Sequence, residues 1–143
     1  MKRSAIKIKA MGLFVADGRV LATPGYDSPG QLSYFRLLGG NVEFGERSDQ
    51  TLAREMLEEL AAEVEVLELL EVVQDVFDFE GKPCHEIAFV HNARFVDEAF
   101  HRRETLTNIE PHNGEVSRWI PIAEALYGPL PLFPAANYRR WLT

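Results

Sequence analysis

Residues 37–64 read LLGGNVEFGERSDQTLAREMLEELAAEV, and this stretch decides the fold. It passes from two adjacent glycines, Gly39 and Gly40, into a run of acidic residues. Glycine has no side chain, so a carbonyl group or a phosphate can approach the backbone closely at this point. Ser48 is a typical helix N-cap, and the aspartate after it suits the positive end of a helix dipole. The stretch therefore predicts a strand that runs into the glycines, followed by a helix over about 49–62.

The predicted helix has an apolar face and an acidic face. At about 100° per residue, one broad arc is apolar and should be buried. The members of this arc are Leu52, Ala53, Met56, Leu57 and Leu60. Glu55, Glu58 and Glu59 fall on roughly the opposite side, where residues three and four apart are neighbours and like charges repel. A divalent cation with a preference for oxygen ligands, such as Mg²⁺ or Mn²⁺, would relieve that repulsion.

Arg54 stands four residues before Glu58, which is the spacing of a helical salt bridge. We therefore expect Arg54 to orient the Glu58 carboxylate rather than to act as a metal ligand itself.

The stretch from Gly40 to Ala62 resembles the Nudix box, the signature of the Nudix hydrolases. That signature is Gly, five residues, Glu, seven residues, then Arg-Glu-U-x-Glu-Glu-x-Gly-U, where U is a bulky aliphatic residue. All of its charged positions are matched, by Glu46, Arg54, Glu55, Glu58 and Glu59. Ala61 replaces the last glycine and Ala62 replaces the last aliphatic residue. Because that glycine normally ends the helix in the left-handed conformation, we expect this helix to end differently or to run on slightly.

The resemblance implies a fold, an activity and a set of metal ligands. The implied fold is an α/β/α sandwich of Nudix type, with a mixed β-sheet flanked by helices, in one domain over residues 1–143. The implied activity is metal-dependent cleavage of a nucleoside diphosphate linked to another moiety, with Mg²⁺, or alternatively Mn²⁺, as cofactor. The implied metal ligands are Glu55, Glu58, Glu59 and the backbone carbonyl of Gly39. Glu46 and Arg54 would support these ligands.

The residue that activates the attacking water is left open by the sequence. In the family that the chain resembles, the base is either the first glutamate of the Arg-Glu pair, here Glu55, or a glutamate from a distant loop. Among distant glutamates we favour Glu115, just before a predicted strand, and keep Glu86 and Glu110 as alternatives. A base must first be able to reach the water and then have a suitable pKa.

Two residues near the glycines are candidates for contact with the substrate. Arg36, on the strand that leads to the glycines, is suited to bidentate contact with a phosphate, although a structural ion pair is an equal alternative. Gly40 would let the substrate approach the backbone. Tyr26, Tyr34, Phe77 and Phe79 would either stack on a base or pack in the core. The proline and tyrosine that mark some substrate classes of the family are absent around residues 77–80, so the nucleotide itself is not predicted.

The remaining elements follow from hydrophobic periodicity and turn residues. Predicted strands cover 5–15, 20–22, 34–38, 64–79, 84–96 and 115–120, and the fourth and fifth should form an antiparallel hairpin. A short helix is predicted over 122–127 and a last helical turn or two over 135–142. Segments 23–31 and 97–114 are predicted to be loops.

Composition limits the partners and the compartment. The chain has 143 residues, a net charge of -7 and a sequence pI of about 5.1, with no basic patch suited to duplex nucleic acid. Cys84 is the only cysteine, so no internal disulfide can form, and no apolar stretch approaches the ~20 residues that span a bilayer. We expect a cytoplasmic protein with a small-molecule nucleotide as partner and no membrane association. A homodimer, common among the relatives that the resemblance implies, is left open.

Two other functions are consistent with the same residues. One is a non-catalytic module of Nudix fold that binds or senses a nucleotide. A pure binder would have no need to keep the mutually repelling glutamates, which argues against this alternative. The other is a structural domain whose acidic helix face is only solvated, and tight Mg²⁺ binding that depends on the carboxylates would exclude it.

Overall fold

The computed structural model describes residues 4–142. Residues 1–3 and Thr143, which are part of the predicted domain, lie outside the described residues. The strands are β1 (Lys7–Ala16), β2 (Arg19–Tyr26), β3 (Leu32–Arg36), β4 (Leu38–Asn41), β5 (Val64–Phe79), β6 (Lys82–Phe95), β7 (Thr105–Thr107), β8 (Val116–Pro121) and β9 (Leu132–Phe133). The helices are α1 (Ser48–Leu60), α2 (Ala99–Arg102), α3 (Ile122–Tyr127) and α4 (Tyr138–Leu142).

The strands form a mixed sheet in the order β5-β6-β1-β2-β3-β9. Strand β1 runs parallel to β6 and antiparallel to β2 and β4. Strands β7 and β8 form a branch in which β8 pairs with β2. The predicted antiparallel hairpin of β5 and β6 is confirmed, with Phe79 opposite Lys82 beside the turn.

Helices cover both faces of the sheet. Successive side chains of a strand point to opposite faces, so one strand contributes residues to both cores. In β1, Ala10 and Phe14 belong to the core that α1 covers. Met11 and Leu13 belong to the second core, which is closed by α3 and α4. The predicted α/β/α sandwich is therefore confirmed. Within residues 4–142, no helix is both long and apolar enough to cross a membrane.

Helix α1 begins one residue earlier than predicted, and Ser48 is not its N-cap. Arg47 is the N-cap, and its backbone N–H donates to Oε1 of Gln50 at 2.9 Å. The Ser48 hydroxyl is instead hydrogen-bonded to Nε2 of His91 at 2.8 Å, across the boundary between α1 and β6. The hydroxyl on which the N-cap prediction rested is thus committed to a tertiary contact.

The C-terminus of α1 contradicts the expectation that alanine changes the ending. Ala61 adopts the left-handed conformation, with φ of 53°, and its N–H donates to Leu57 O at 3.0 Å. The N–H of Ala62 then donates to Met56 O at 3.2 Å. The first of these bonds, with a left-handed residue as its donor, is the usual glycine-type ending, formed here with alanine. Ala62, the residue after Ala61, is fully buried, and its burial fixes the turn of the chain at the end of α1.

The buried face of α1 is narrower than predicted. Leu52, Met56 and Leu60 are buried, but Leu57 is 54% exposed, so its placement in the buried arc was wrong. Leu57 lies at the edge of the apolar arc, and a residue there is buried only where a neighbouring element covers it.

Two of the predicted loops contain strand. Strand β2 continues to Tyr26 because its second half pairs with β3, and Gly25 leaves room for the Tyr34 ring opposite it. Segment 97–114 contains α2 and β7, and β7 pairs with β8. Gly39 and Gly40 also lie within β4, and not after a strand as predicted.

Candidate active site

The two glycines bring β4, β1 and α1 together. Gly39 pairs with Met11, and Gly40 pairs with Ala10. A Cβ atom at Gly39 would collide with the Ala10 carbonyl, and one at Gly40 would lie 2.5 Å from Oε1 of Glu55. The glycines therefore allow β4 to pack against β1 on one side and against a carboxylate of α1 on the other.

Arg54 organises the acidic face of α1. Its Nε and Nη2 atoms donate to the two carboxylate oxygens of Glu46 at 2.7 and 2.9 Å. Its Nη1 atom donates to Glu55 at 3.0 Å and to Glu58 at 3.2 Å, so the predicted bridge to Glu58 is present. Nη2 also reaches the backbone carbonyl of Asn41 at 3.2 Å. One guanidinium thus joins the loop before α1, strand β4 and two glutamates of α1.

Glu46 anchors this arrangement. The Thr51 hydroxyl donates to Oε1 of Glu46 at 2.5 Å, in addition to the two bonds from Arg54. These hydrogen bonds, with those from Arg54 the strongest, lower the pKa of Glu46 from 4.5 to about 2. Glu46 is therefore ionised at neutral pH and holds Arg54 in a fixed orientation.

Glu55 and Glu59 are hydrogen-bonded to one another on the acidic face of α1. Burial raises the pKa of Glu59 from 4.5 to about 8, and the hydrogen bond to Glu55 and the charges of Glu55 and Glu110 act in the same direction. The positive charge of Arg36 lowers the pKa of Glu59 in part. Protonated Glu59 then donates a hydrogen bond to Glu55, which is only 14% exposed.

Three of the predicted metal ligands are thus brought to one face of α1, where they are hydrogen-bonded to Arg54 or to one another. Among residues 4–142, no three His, Cys, Asp or Glu side chains are arranged to hold a metal ion as they stand. Arg54 binds Glu58, while Glu55 is shared between Arg54 and Glu59. The donor set nevertheless fits a hard divalent cation, which prefers carboxylate oxygens and would replace the proton of Glu59 as the counter-charge.

The distant glutamates lie at different edges of this face. Glu115 forms an ion pair with Arg36, so both of these predicted residues are brought together. Glu110 lies close enough to Glu59 to raise its pKa, because the N–H of Ile109 donates to the Glu59 carbonyl at 2.7 Å. Glu86 is bound to Lys9 at 3.3 Å, on β6.

A cavity of about 440 Å³ lies on the Met11 side of β1, and the sequence did not predict it. It lies between the β5-β6-β1 part of the sheet and strands β3 and β9, and Arg36 lines it. Its aromatic lining consists of Tyr34, Phe77, Phe79 and Phe133. Tyr34, Phe77 and Phe79 were candidates from the sequence for stacking on a base or packing in the core, but their convergence depends on tertiary structure.

Comparison with known proteins places the chain. The family model described as NUDIX domain matches residues 6–142. The chain belongs to the Nudix family. It is accordingly a Nudix hydrolase, as the acidic helix predicted.

Solved structures of other proteins share the fold. A MutT NUDIX hydrolase from Burkholderia pseudomallei is 24% identical, with 97% of this chain and 96% of that chain covered and a TM-score of 0.65. The E. coli ORF135 protein is 25% identical, with 92% and 84% covered and a TM-score of 0.55. An ADP-ribose pyrophosphatase from Streptococcus suis is 13% identical, with 95% and 86% covered and a TM-score of 0.57. Similarity at these identities extends to the fold of this Nudix protein and not to its substrate.

Proposed function

We propose that this Nudix hydrolase is a divalent-metal-dependent pyrophosphohydrolase that cleaves a nucleoside diphosphate linked to another moiety. The observation that carries the proposal is the closeness of Glu55 and Glu59, which are hydrogen-bonded to one another beside the backbone of Gly40. Two carboxylates held this close favour a bound cation, and a polyphosphate substrate needs cations to approach a protein with a net charge of -7.

The proposed ligands of the cation are Glu55, Glu58, Glu59 and the carbonyl of Gly39, with Mg²⁺ as the cation and Mn²⁺ as an alternative. When bound, such a cation neutralises phosphate charge and lowers the pKa of water. Arg54 would keep Glu55 and Glu58 oriented, because it already bonds both of them.

The proposed role of Arg36 is to bind a substrate phosphate near Gly40, which adds no side chain of its own. Arg36 is 31% exposed and faces the cavity, and its fork of donors suits a phosphate. A phosphate bound there would compete with Glu115 for the guanidinium and would release the Glu115 carboxylate. We therefore propose Glu115 or Glu55 as the group that accepts a proton from the attacking water, with Glu86 and Glu110 as alternatives.

The setting of this activity is part of the proposal. We propose one catalytic domain over residues 1–143 in the cytoplasm, since the only cysteine, Cys84, is unpaired as in a reducing compartment. The expected partner is a small nucleotide, and a homodimer is left open.

Hydrolysis of a panel of nucleotides tests the proposal. Nucleoside triphosphates, dinucleoside polyphosphates, ADP-ribose and sugar nucleotides should be incubated with and without Mg²⁺ or Mn²⁺, and the products identified. We expect metal-dependent cleavage in at least one class. Glu58→Gln and Glu59→Gln should each reduce the rate by at least about 100-fold, because charge stabilisation by the cation contributes several kcal/mol.

A matched control is Glu68→Gln, which makes the same chemical change at an exposed position of β5. It should hydrolyse at the rate of the parent. Parent rates in both α1 variants, with circular dichroism showing an intact fold, would rule out the proposed metal ligands.

A further inference from the structure

The cavity on the Met11 side of β1 is lined by aromatic rings that remain accessible. Phe77, Phe79 and Phe133 are 37%, 39% and 38% exposed. Large apolar side chains are usually buried more deeply unless a ligand or partner covers them. These three rings lie around one concave space, which suits a flat ligand that stacks.

The rings hold one another in place. Tyr34 makes edge contacts with Phe79 and Phe133, with ring centroids 6.1 and 5.7 Å apart. Phe77 and Phe133 are nearly parallel, with an interplanar angle of 15° and centroids 6.3 Å apart. The cavity therefore presents an ordered aromatic wall, and base–aromatic stacking of this kind accepts any nucleobase.

One carboxylate of the cavity has unused acceptor capacity. Asp75 lies on the same face of β5 as Phe77 and the buried Val73, at the inner end of the aromatic wall. Its neighbour across the ladder, Glu86, is neutralised by Lys9 at 3.3 Å. Asp75 has no such cation among residues 4–142. Its Oδ2 atom accepts one long hydrogen bond of 3.4 Å, from the backbone N–H of Ala135, and Oδ1 accepts none in that part of the chain.

We propose that this cavity selects nucleotides whose base carries an amino group, namely cytosine, adenine or guanine, over uracil and thymine. The inference rests on the proposed function for the presence of a nucleotide, and it adds the class of base. An ionised carboxylate can only accept hydrogen bonds, so Asp75 would bind an amino group directly. The N–H of uracil or thymine is flanked by two carbonyl oxygens, and these would face the negative charge of Asp75.

The position of Arg36 gives the bound nucleotide a direction. Arg36 lines the same cavity and stands three residues before Gly39, whose carbonyl is a proposed metal ligand. A base stacked beside Asp75 would therefore have its phosphates emerge at Arg36, next to the acidic face of α1. The selectivity of the cavity and the cleavage at α1 would then act on one ligand.

Binding of nucleoside monophosphates tests the selectivity without any hydrolysis. Calorimetric titration in EDTA should compare CMP with UMP and GMP with IMP, since the second member of each pair lacks the amino group. We expect the amino-bearing nucleotide to bind about tenfold more tightly in at least one pair, because a hydrogen bond to a charged group is lost in the other member. Equal affinities in both pairs, or no binding of any of the four at millimolar concentration, would overturn the inference.

Two variants show whether Asp75 is the cause. Asp75→Asn adds an amide donor that suits a carbonyl, so the affinity ratio within each pair should fall toward one. Phe77→Leu should weaken all four nucleotides alike, and Glu68→Gln should leave every affinity unchanged. If the affinity ratio within each pair stays the same in Asp75→Asn, the inference is also overturned. Misfolding would lower the affinity for both members of a pair and does not by itself change their ratio.

The outcome is independent of the hydrolysis panel. Selective binding without hydrolysis of any nucleotide would contradict the proposed function but keep a base-selective cavity. Metal-dependent hydrolysis with equal binding within both pairs would contradict only the base selectivity.

Discussion

At the scale of single residues, Arg54 decides how the acidic face of α1 is arranged. Its guanidinium binds Glu46 with two hydrogen bonds and also contacts Glu55 and Glu58. Only the contact with Glu58 follows from helical spacing, because Glu46 lies in the loop before α1. The contact with Glu46 has the shortest N–O distance in the group and is the one that fixes the guanidinium.

Replacing Glu46 should change the response of stability to acid. The pKa of Glu46 is lowered from 4.5 to about 2 in the folded chain, so its ionised form stabilises the fold above about pH 4.5. This stabilisation is lost as the pH falls toward 2, because the unfolded chain then binds a proton that the folded chain binds less readily. Glu46→Gln should therefore lose less stability than the parent between pH 5 and 2.5, measured by urea unfolding in EDTA. Identical losses in the two proteins would contradict this role of Glu46.

Replacing Ala61 should stabilise the protein. Its φ of 53° lies in the left-handed region, which costs a residue with a Cβ roughly 1–2 kcal/mol. Glycine avoids that cost but has more freedom in the unfolded chain. We expect Ala61→Gly to raise the free energy of unfolding by about 0.5–1 kcal/mol. Ala53→Gly, in the middle of the same helix, is the control and should lower it by about 1 kcal/mol.

The residues of the acidic face were predictable, and their conformations only in part. The periodicity of a helix alone places Glu55, Glu58 and Glu59 on one side. It does not reveal that Ala61 takes a conformation that glycine usually occupies. The preference for glycine at such a position is only a modest free energy. Burial of the following residue, Ala62, offsets this free energy.

At the scale of elements, the site depends on the close approach of β4 and α1. Gly40 faces Glu55, and a Cβ atom there would overlap its carboxylate. Gly40→Ala should therefore displace Glu55 and reduce metal-dependent hydrolysis by at least about tenfold, by analogy with other changes that disturb the support of a metal ligand. Rates should be measured across a Mg²⁺ titration, in which a higher Mg²⁺ requirement is expected.

Gly18→Ala is the control for this variant. Gly18 has a φ of 72° in the turn between β1 and β2, and a Cβ atom there meets nothing within 4 Å. The change should lower stability through backbone strain and leave the Mg²⁺ requirement as it is. If Gly40→Ala behaves in the same way, the contact with Glu55 has no part in the site.

Strands whose residues alternate clearly were predicted well, and strands fixed by a partner were not. The hairpin of β5 and β6 follows from two long apolar tracts around EGKP. The end of β2 and the whole of β7 carry loop-like sequences and are strands because β3 and β8 supply their hydrogen bonds. Such pairing is a tertiary effect, which local propensity does not contain.

At the scale of the whole molecule, Glu71 ties the C-terminal segment to the sheet. Its carboxylate accepts hydrogen bonds from the N–H of Asn137 and from Nε1 of Trp141, both at 3.0 Å. Glu71→Ala would leave these donors without that acceptor and should lower the free energy of unfolding by about 1–3 kcal/mol. Glu68→Ala, on the same strand, should change it by less than about 0.5 kcal/mol in a parallel urea unfolding experiment. A similar loss of unfolding free energy in both variants would mean that the loss comes from changing strand β5, and not from the hydrogen bonds between Glu71 and the C-terminal segment.

The cavity shows why the sequence predicts the helix face better than the substrate pocket. Its lining comes from β1, β3, β5, β6 and β9, which meet only after the sheet has formed. Each contributing residue is unremarkable in its own segment. By contrast, the acidic face lies within one helix, where spacing in sequence is spacing in the structure.

Strand β5, one wall of the cavity, is also the outer strand of the sheet. It exposes Leu67, Leu69, Val72 and Val76, which would favour strand-to-strand aggregation. It also carries five acidic side chains and no basic one: Glu65, Glu68, Glu71, Asp75 and Asp78. Two copies meeting along this edge would bring these rows of negative charge together. Colloidal stability in storage therefore depends on ionisation of this one strand, and concentrated solutions should keep best at low salt and well above the pKa of a carboxylate.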